Sequence, residues 1–128
     1  MKVFVYGTLK KNRSNSYLLK GSEFVEEAET IDRFCMRDLV GFPAVTQEKP
    51  VSTIKGEVYK IDEDTLKRLD GLEGYPHLYD RITVQVKLAS GDIEEAIMYI
   101  ASKATVERIQ DTNIIGDGIW ENQRVRHF

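Results

Sequence analysis

Residues 81–100 alternate, turn and return, and this local pattern restricts the chain more than any other in it. Ile82, Val84, Val86 and Leu88 fall on one side, against Arg81, Thr83, Gln85 and Lys87 on the other. Successive side chains of a strand point to opposite faces, so the spacing predicts a strand with one buried face. Ser90-Gly91-Asp92 has turn chemistry, and Glu94 to Ile100 come back, which predicts a β-hairpin.

The same reasoning places the other elements. Val3, Phe4 and Val5 form a short apolar run that stops at Gly7, predicting a buried strand over 2–6, apolar on both faces. Thr8 to Ser16 is polar and basic, a loop or the start of a short helix. Phe24 to Phe34 suits an extended strand with one solvated, acidic face. Met36 to Val45 reads as strand, turn, strand, broken around Gly41-Phe42-Pro43. Val51 to Ile61 alternates, with Ile54, Gly56 and Val58 opposite Lys55, Glu57 and Tyr59. Asp62 is a natural N-cap for a short helix from Glu63 that shows Leu66 and Leu69 on one face and stops near Gly71 or Gly74. The tail, 102–128, is polar with Gly116, Gly118 and Trp120, and is left without an assigned element. The sum is a single α+β domain over residues 1–128, mostly antiparallel strands with one or two short helices.

Composition excludes several classes. A chain of 128 residues supports one hydrophobic core. Its net charge of -3 points away from nucleic acid and anionic membrane as partners. The one cysteine, Cys35, allows no internal disulfide and no cysteine-based metal site, and reads as a small core residue. His77 and His127 lack partners at metal-ligand spacing. No apolar run approaches the roughly 20 residues that span a bilayer. The opening, Met1-Lys2-Val3-Phe4-Val5, is strand-like at once, which predicts no signal peptide and a cytoplasmic location.

Two segments depart from plain core and plain surface. The first is Tyr6-Gly7-Thr8-Leu9, where a glycine just past a buried strand lets the backbone turn with its amides exposed. Successive N–H groups in such a turn can converge on a carboxylate or an oxyanion, and Thr8 adds a hydroxyl. The alternative is a plain turn. The second is the stretch from Leu69 to Arg81, which carries Glu73 between Leu72 and Tyr75. An acid in such surroundings, if desolvated, has its pKa raised toward that of a general acid/base; the alternative is a surface carboxylate at a helix end. Asp70 reads as a helix-end cap or solvated acid, Arg81 as a partner in a structural salt bridge. Lys10, Lys11 and Arg13 read as a solvated basic loop without aromatics to stack on bases.

Taken together, Val3-Phe4-Val5-Tyr6-Gly7-Thr8-Leu9, then Gly56-Glu57-Val58-Tyr59, then Leu69-Asp70, Glu73, Pro76, Tyr79 and Arg81 resemble the γ-glutamylcyclotransferase-like family. Within it, the likeness is to the γ-glutamylamine cyclotransferase and AIG2-like branch, and it covers about residues 2–100. The resemblance implies a small mixed, mostly antiparallel β-barrel with short flanking helices. It implies that Tyr6, Gly7, Thr8 and Leu9 line the substrate cavity and that Glu73 is the catalytic acid/base. Tyr79 and Arg81 match residues that shape the pocket, and Tyr99 is a further candidate to face it.

The implied partner is a small γ-glutamyl compound, whose α-amino group attacks its own side-chain carbonyl to give 5-oxoproline and a free amine. That chemistry calls for no metal or organic cofactor. Two other classes fit the same residues. One is a binding domain that holds a metabolite in the cavity without turnover. The other is an interaction module whose tail residues Ile114, Ile115, Trp120 and Phe128 form an apolar patch.

Overall fold

The structure is a computed structural model and describes residues 1–121. Its strands are β1 (Lys2–Val5), β2 (Glu23–Thr30), β3 (Cys35–Asp38), β4 (Pro43–Thr46), β5 (Lys55–Lys60), β6 (Tyr79–Leu88), β7 (Ile93–Ala101) and β8 (Asn113–Ile115). Two α-helices accompany them, α1 (Glu63–Glu73) and α2 (Lys103–Arg108), with a single 3₁₀ turn at Ser16–Leu19.

The alternating segment forms the predicted hairpin, β6 against β7 from Tyr79 opposite Ala101 to Lys87 opposite Ile93. β2 joins the far edge of β6, β5 joins β2, and β1 joins β5, all antiparallel. β1 then meets β7 in parallel at Val3 and Ile97, which closes a five-stranded barrel in the order β1-β5-β2-β6-β7. Closure removes the sheet edges that would otherwise template pairing with other chains. A second sheet, β4-β3-β8, lies beside it. The α+β barrel expected from the sequence is therefore what forms.

β1 shows why its run is apolar on both faces. Phe4 packs in one core cluster with Val58, Val86 and Met98, while Val3 and Val5 pack in the other with Leu69 and Tyr99. The second cluster is the one α1 covers. Successive strand residues face opposite ways, so a strand between two cores has no polar face to spare.

Two expectations are corrected, and the tail, left unassigned above, gains an element. β2 ends at Thr30, and Phe34 reaches only an isolated bridge to Ser52. The tail is built into the fold: β8 pairs with β3, and Ile115 and Trp120 are buried in the barrel-side core. Ile114 alone of that group is exposed, at 40%, whereas Phe128 and His127 lie outside the described residues. Lys10 is not a solvated lysine either. Its Nζ donates to the Trp120 carbonyl at 2.9 Å, Arg13 lies over the Trp120 ring, and burial pulls the Lys10 pKa down.

Candidate active site

Local rules put Glu73 where it is. The Asp62 side chain accepts from the Thr65 N–H at 2.8 Å and caps α1, and Glu63 and Asp64 favour the positive helix N-terminus. Residues three and four apart share a helix face, so Leu66, Leu69 and Glu73 form one stripe. Leu69 is fully buried against the strands, and Glu73, one turn later, is carried toward the same side. Gly74 stops the helix in the left-handed conformation at φ 64°, its N–H bonding the carbonyls of Asp70 and Gly71.

Glu73 opens on a cavity of about 370 Å³. The Tyr6–Leu9 loop forms one wall, Gly41, Phe42 and Pro43 at the β3–β4 tip another, and Tyr79 and Tyr99 the floor side. All five residues expected at the site, Tyr6, Gly7, Thr8, Leu9 and Glu73, line this one space. Arg81 does not; it stands behind Asp70.

Burial holds the Glu73 carboxyl up to about 7, and among the described residues no hydrogen bond or cation opposes that effect. The neighbouring tyrosines stay neutral. Burial raises Tyr6 well above its ordinary value, with Tyr79 and Glu73 adding to it. Burial also raises Tyr79, and the Glu73 charge adds to that. Each hydroxyl is already committed: Tyr6 donates to the Tyr99 carbonyl at 2.8 Å, Tyr79 to the Pro43 carbonyl at 3.0 Å, and Tyr99 to Asp70 Oδ1 at 2.6 Å. Glu73 is thus the one titratable side chain lining the cavity whose pKa lies near neutral.

The loop opposite offers donors. The Lys10 N–H bonds the Gly7 carbonyl at 3.0 Å, closing a tight turn, and the Asn15 N–H bonds the Thr8 carbonyl at 2.9 Å. Asn15 Nδ2 also donates to Thr8 Oγ1 at 2.9 Å, so one asparagine holds Thr8 twice. Among the described residues the amides of Gly7, Thr8 and Leu9 find no acceptor within the protein, which leaves three successive N–H groups for a ligand. The need for glycine at position 7 is steric. A Cβ there would meet Cγ and Cδ of Pro43 at 2.8 Å.

Asp70 is not the solvated helix-end acid expected from the sequence. Arg81 Nη1 contacts its two carboxylate oxygens at 2.7 and 2.5 Å, and Tyr99 adds its hydroxyl. The Arg81 guanidinium also lies 4.3 Å from the centre of the Tyr75 ring. This cluster ties the last turn of α1 to the hairpin. Asp70→Asn keeps the shape and removes the charge, and the expected loss is about 1–2 kcal/mol in urea unfolding. An unchanged midpoint would show the tie to be idle.

Asn15 went unrecognised in the sequence; of the Asp70 cluster, the structural salt bridge of Arg81 was expected and forms, while the Tyr99 contact was not. Asn15 sits in a polar loop with no local signal. Asp70 had one, since it lies three residues before Glu73 and so shares its helix face.

Comparisons with known proteins identify the family and the fold. Residues 3–122 match the family described as "Gamma-glutamyl cyclotransferase, AIG2-like", a match that takes in most of the tail as well as the β-barrel. Over 98 residues the chain is 43% identical to a protein of Methanocaldococcus jannaschii provisionally named a gamma-glutamylcyclotransferase, covering 76% of this chain and 81% of that one. It is 37% identical over 115 residues to gamma-glutamylaminecyclotransferase A of Danio rerio, covering 78% and 68%. An AIG2-like protein of Mus musculus has the same fold, with a TM-score of 0.76 over 98% of this chain and 97% of that one at 23% identity. The chain belongs to the gamma-glutamyl cyclotransferase, AIG2-like family.

Proposed function

We propose that the protein cyclises the γ-glutamyl group of a small amide to 5-oxoproline and releases the amine, with Glu73 as general base and then general acid. The observation that carries this reading is a carboxyl with a pKa near 7, without a partner among the described residues, that lines one cavity together with a loop whose three successive amides have no acceptor within the protein. A base poised near neutral pH both takes and returns a proton readily.

The α-ammonium of the substrate gives a proton to Glu73, and the freed amine attacks the γ-carbonyl carbon. A ring C–N bond forms and the original amide C–N bond breaks. Glu73 hands its proton to the departing nitrogen, and the second proton lost by the ring nitrogen ends on the released amine. No water is consumed and no atom changes oxidation state. Because attack is intramolecular, holding the folded conformer supplies much of the acceleration. The amides of Gly7, Thr8 and Leu9 hold the substrate at its α-carboxylate or at the developing oxyanion. Tyr6 and Tyr79, with hydroxyls already bonded, act as walls.

The test is release of 5-oxoproline from γ-glutamyl compounds by the purified protein. The expected result is catalytic turnover. Ligands that raise the melting temperature without yielding product would replace this reading with that of a binding domain.

A further inference from the structure

The segment that carries the three free amides is tied to itself. The Lys10 N–H bonds the Gly7 carbonyl at 3.0 Å, the Asn15 N–H the Thr8 carbonyl at 2.9 Å, the Arg13 N–H the Lys10 carbonyl at 3.0 Å and the Ser16 N–H the Arg13 carbonyl at 3.2 Å. Bonds that overlap in this way link residues 7–16 to one another, so the segment shifts as a whole. Leu9, buried in the core cluster that α1 covers, pins its inner end. Where the amides of Gly7, Thr8 and Leu9 stand in the cavity therefore depends on how the outer part of the segment is held.

The tail holds it. Lys10 Nζ donates to the Trp120 carbonyl at 2.9 Å, across 110 positions of sequence, and Arg13 stands 6.0 Å from the centre of the Trp120 ring. The Lys11 N–H also donates to Glu57 Oε1 at 2.9 Å, but that bond is exposed, and water competes for both groups. The Trp120 carbonyl, by contrast, is a fixed point. Trp120 is 2% exposed in the barrel-side core, and the Lys55 N–H at the start of β5 bonds the Gly118 carbonyl at 3.0 Å. Gly118 has a left-handed φ of 70°, and a Cβ there would meet the Thr53 carbonyl oxygen at 2.0 Å, so the tail follows this path only with glycine.

Stability alone does not account for the Lys10 contact. Burial pulls the ammonium pKa down, and the Arg13 charge adds to that. The acceptor is a neutral carbonyl, which offsets the lost hydration less well than a carboxylate does. A lysine pointing into open water avoids that loss, so what the contact supplies is position.

Lys10, Arg13 and Trp120 do not line the cavity, and any effect they have on a ligand passes through the loop. We propose that Lys10 is a positioning residue and that the tail through Trp120 belongs to the working site: the Trp120 carbonyl fixes the Lys10 ammonium, and Lys10 fixes the amides of Gly7, Thr8 and Leu9. The inference rests on the reading above in which those amides hold the γ-glutamyl head.

The experiment is the Kd of 5-oxoproline, measured by titration calorimetry on the wild type, Lys10→Met, Lys10→Arg and Lys11→Met, with the melting temperature of each protein. Methionine keeps the apolar stem of Lys10 and removes the donor, whereas arginine keeps a donor and the charge. Lys11→Met removes the same charge one residue on, where the ammonium lies 3.7 Å from the centre of the Phe24 ring and not on the tail. It controls for the long-range attraction of an anion. Lys10→Met is expected to bind about tenfold more weakly, Lys10→Arg to recover most of that loss, and Lys11→Met to bind as the wild type does. A lysine that only supports the fold would lower the melting temperature and leave the Kd unchanged. Wild-type affinity in Lys10→Met, no recovery in Lys10→Arg, or an equal loss in Lys11→Met overturns the inference, while the cyclisation reading stands or falls on turnover. A wild type that does not bind 5-oxoproline overturns the placement of the head on the amides, and this inference with it.

Discussion

Glu73→Gln lowers kcat for 5-oxoproline release by about 10³-fold, with little change in KM, if the carboxyl is the proton carrier. Glutamine keeps the shape and polarity of the side chain but neither takes nor gives the proton, so binding survives and chemistry does not. The same substitution has a second consequence that a bystander acid would not show. Burial raises the Glu73 pKa from 4.5 to about 7, so the folded protein binds the proton more tightly than the unfolded chain does. Stability therefore falls as pH rises from about 4.5 to about 7, and the full deficit is present above that range. Glu73→Gln removes the deficit. Discounted for the open mouth of the cavity, the gain is about 2 kcal/mol at pH 8, and it fades toward pH 4. Thermal unfolding of the two proteins at both pH values measures it. A variant that is inactive and less stable at pH 8 would mean that Glu73 holds the fold together rather than serving the reaction.

Gly7→Ala has the second-largest expected effect. The added methyl meets the Pro43 ring at 2.8 Å, closer than carbon atoms pack. Pro43 opens β4, and its carbonyl accepts the Tyr79 hydroxyl, so the proline has little room to retreat. The Tyr6–Leu9 loop must give instead, and it carries the three free amides. Overpacking of this kind costs about 1–3 kcal/mol, and a displacement near 1 Å at a site lowers the rate by about 10²-fold. The Gly71→Ala protein is the contrast. Apart from its chain neighbours and its own helix backbone, nothing lies within 4 Å of the added carbon, and the position is helical, so the expected result is unchanged kcat and up to about 1 kcal/mol of added stability. Full activity in the Gly7→Ala protein would mean that the loop backbone takes no part in holding the substrate.

What the sequence revealed and what it hid follow from the range of the interactions involved. Alternation over 81–88, the Asp62 cap and the glycine stop at 74 are written in neighbouring residues, and the hairpin and α1 formed as read. The parallel meeting of β1 with β7 joins residues 94 positions apart through Val3 and Ile97, and no local period encodes it. β8 is three residues long, too short to show alternation, and forms because β3 offers it an edge. The site divides in the same way. Glu73 and the Tyr6–Leu9 loop were legible only as a pair, each being an ordinary feature by itself. The inward aim of Glu73 was also present in the spacing of Leu66, Leu69 and Glu73, once the helix is extended through Gly71. The Asp70–Arg81–Tyr99 cluster and the clash that demands Gly7 depend on partners brought in by the fold.

The most direct test of the central claim is the pH dependence of kcat/KM for 5-oxoproline release, measured on the wild type with Glu73→Gln as reference. An acid/base with a pKa near 7 predicts activity that rises through pH 7 as the carboxylate forms, and a residual rate in the variant that lacks this limb. A wild-type profile that is flat across that range, or a variant that keeps the same limb, would contradict it.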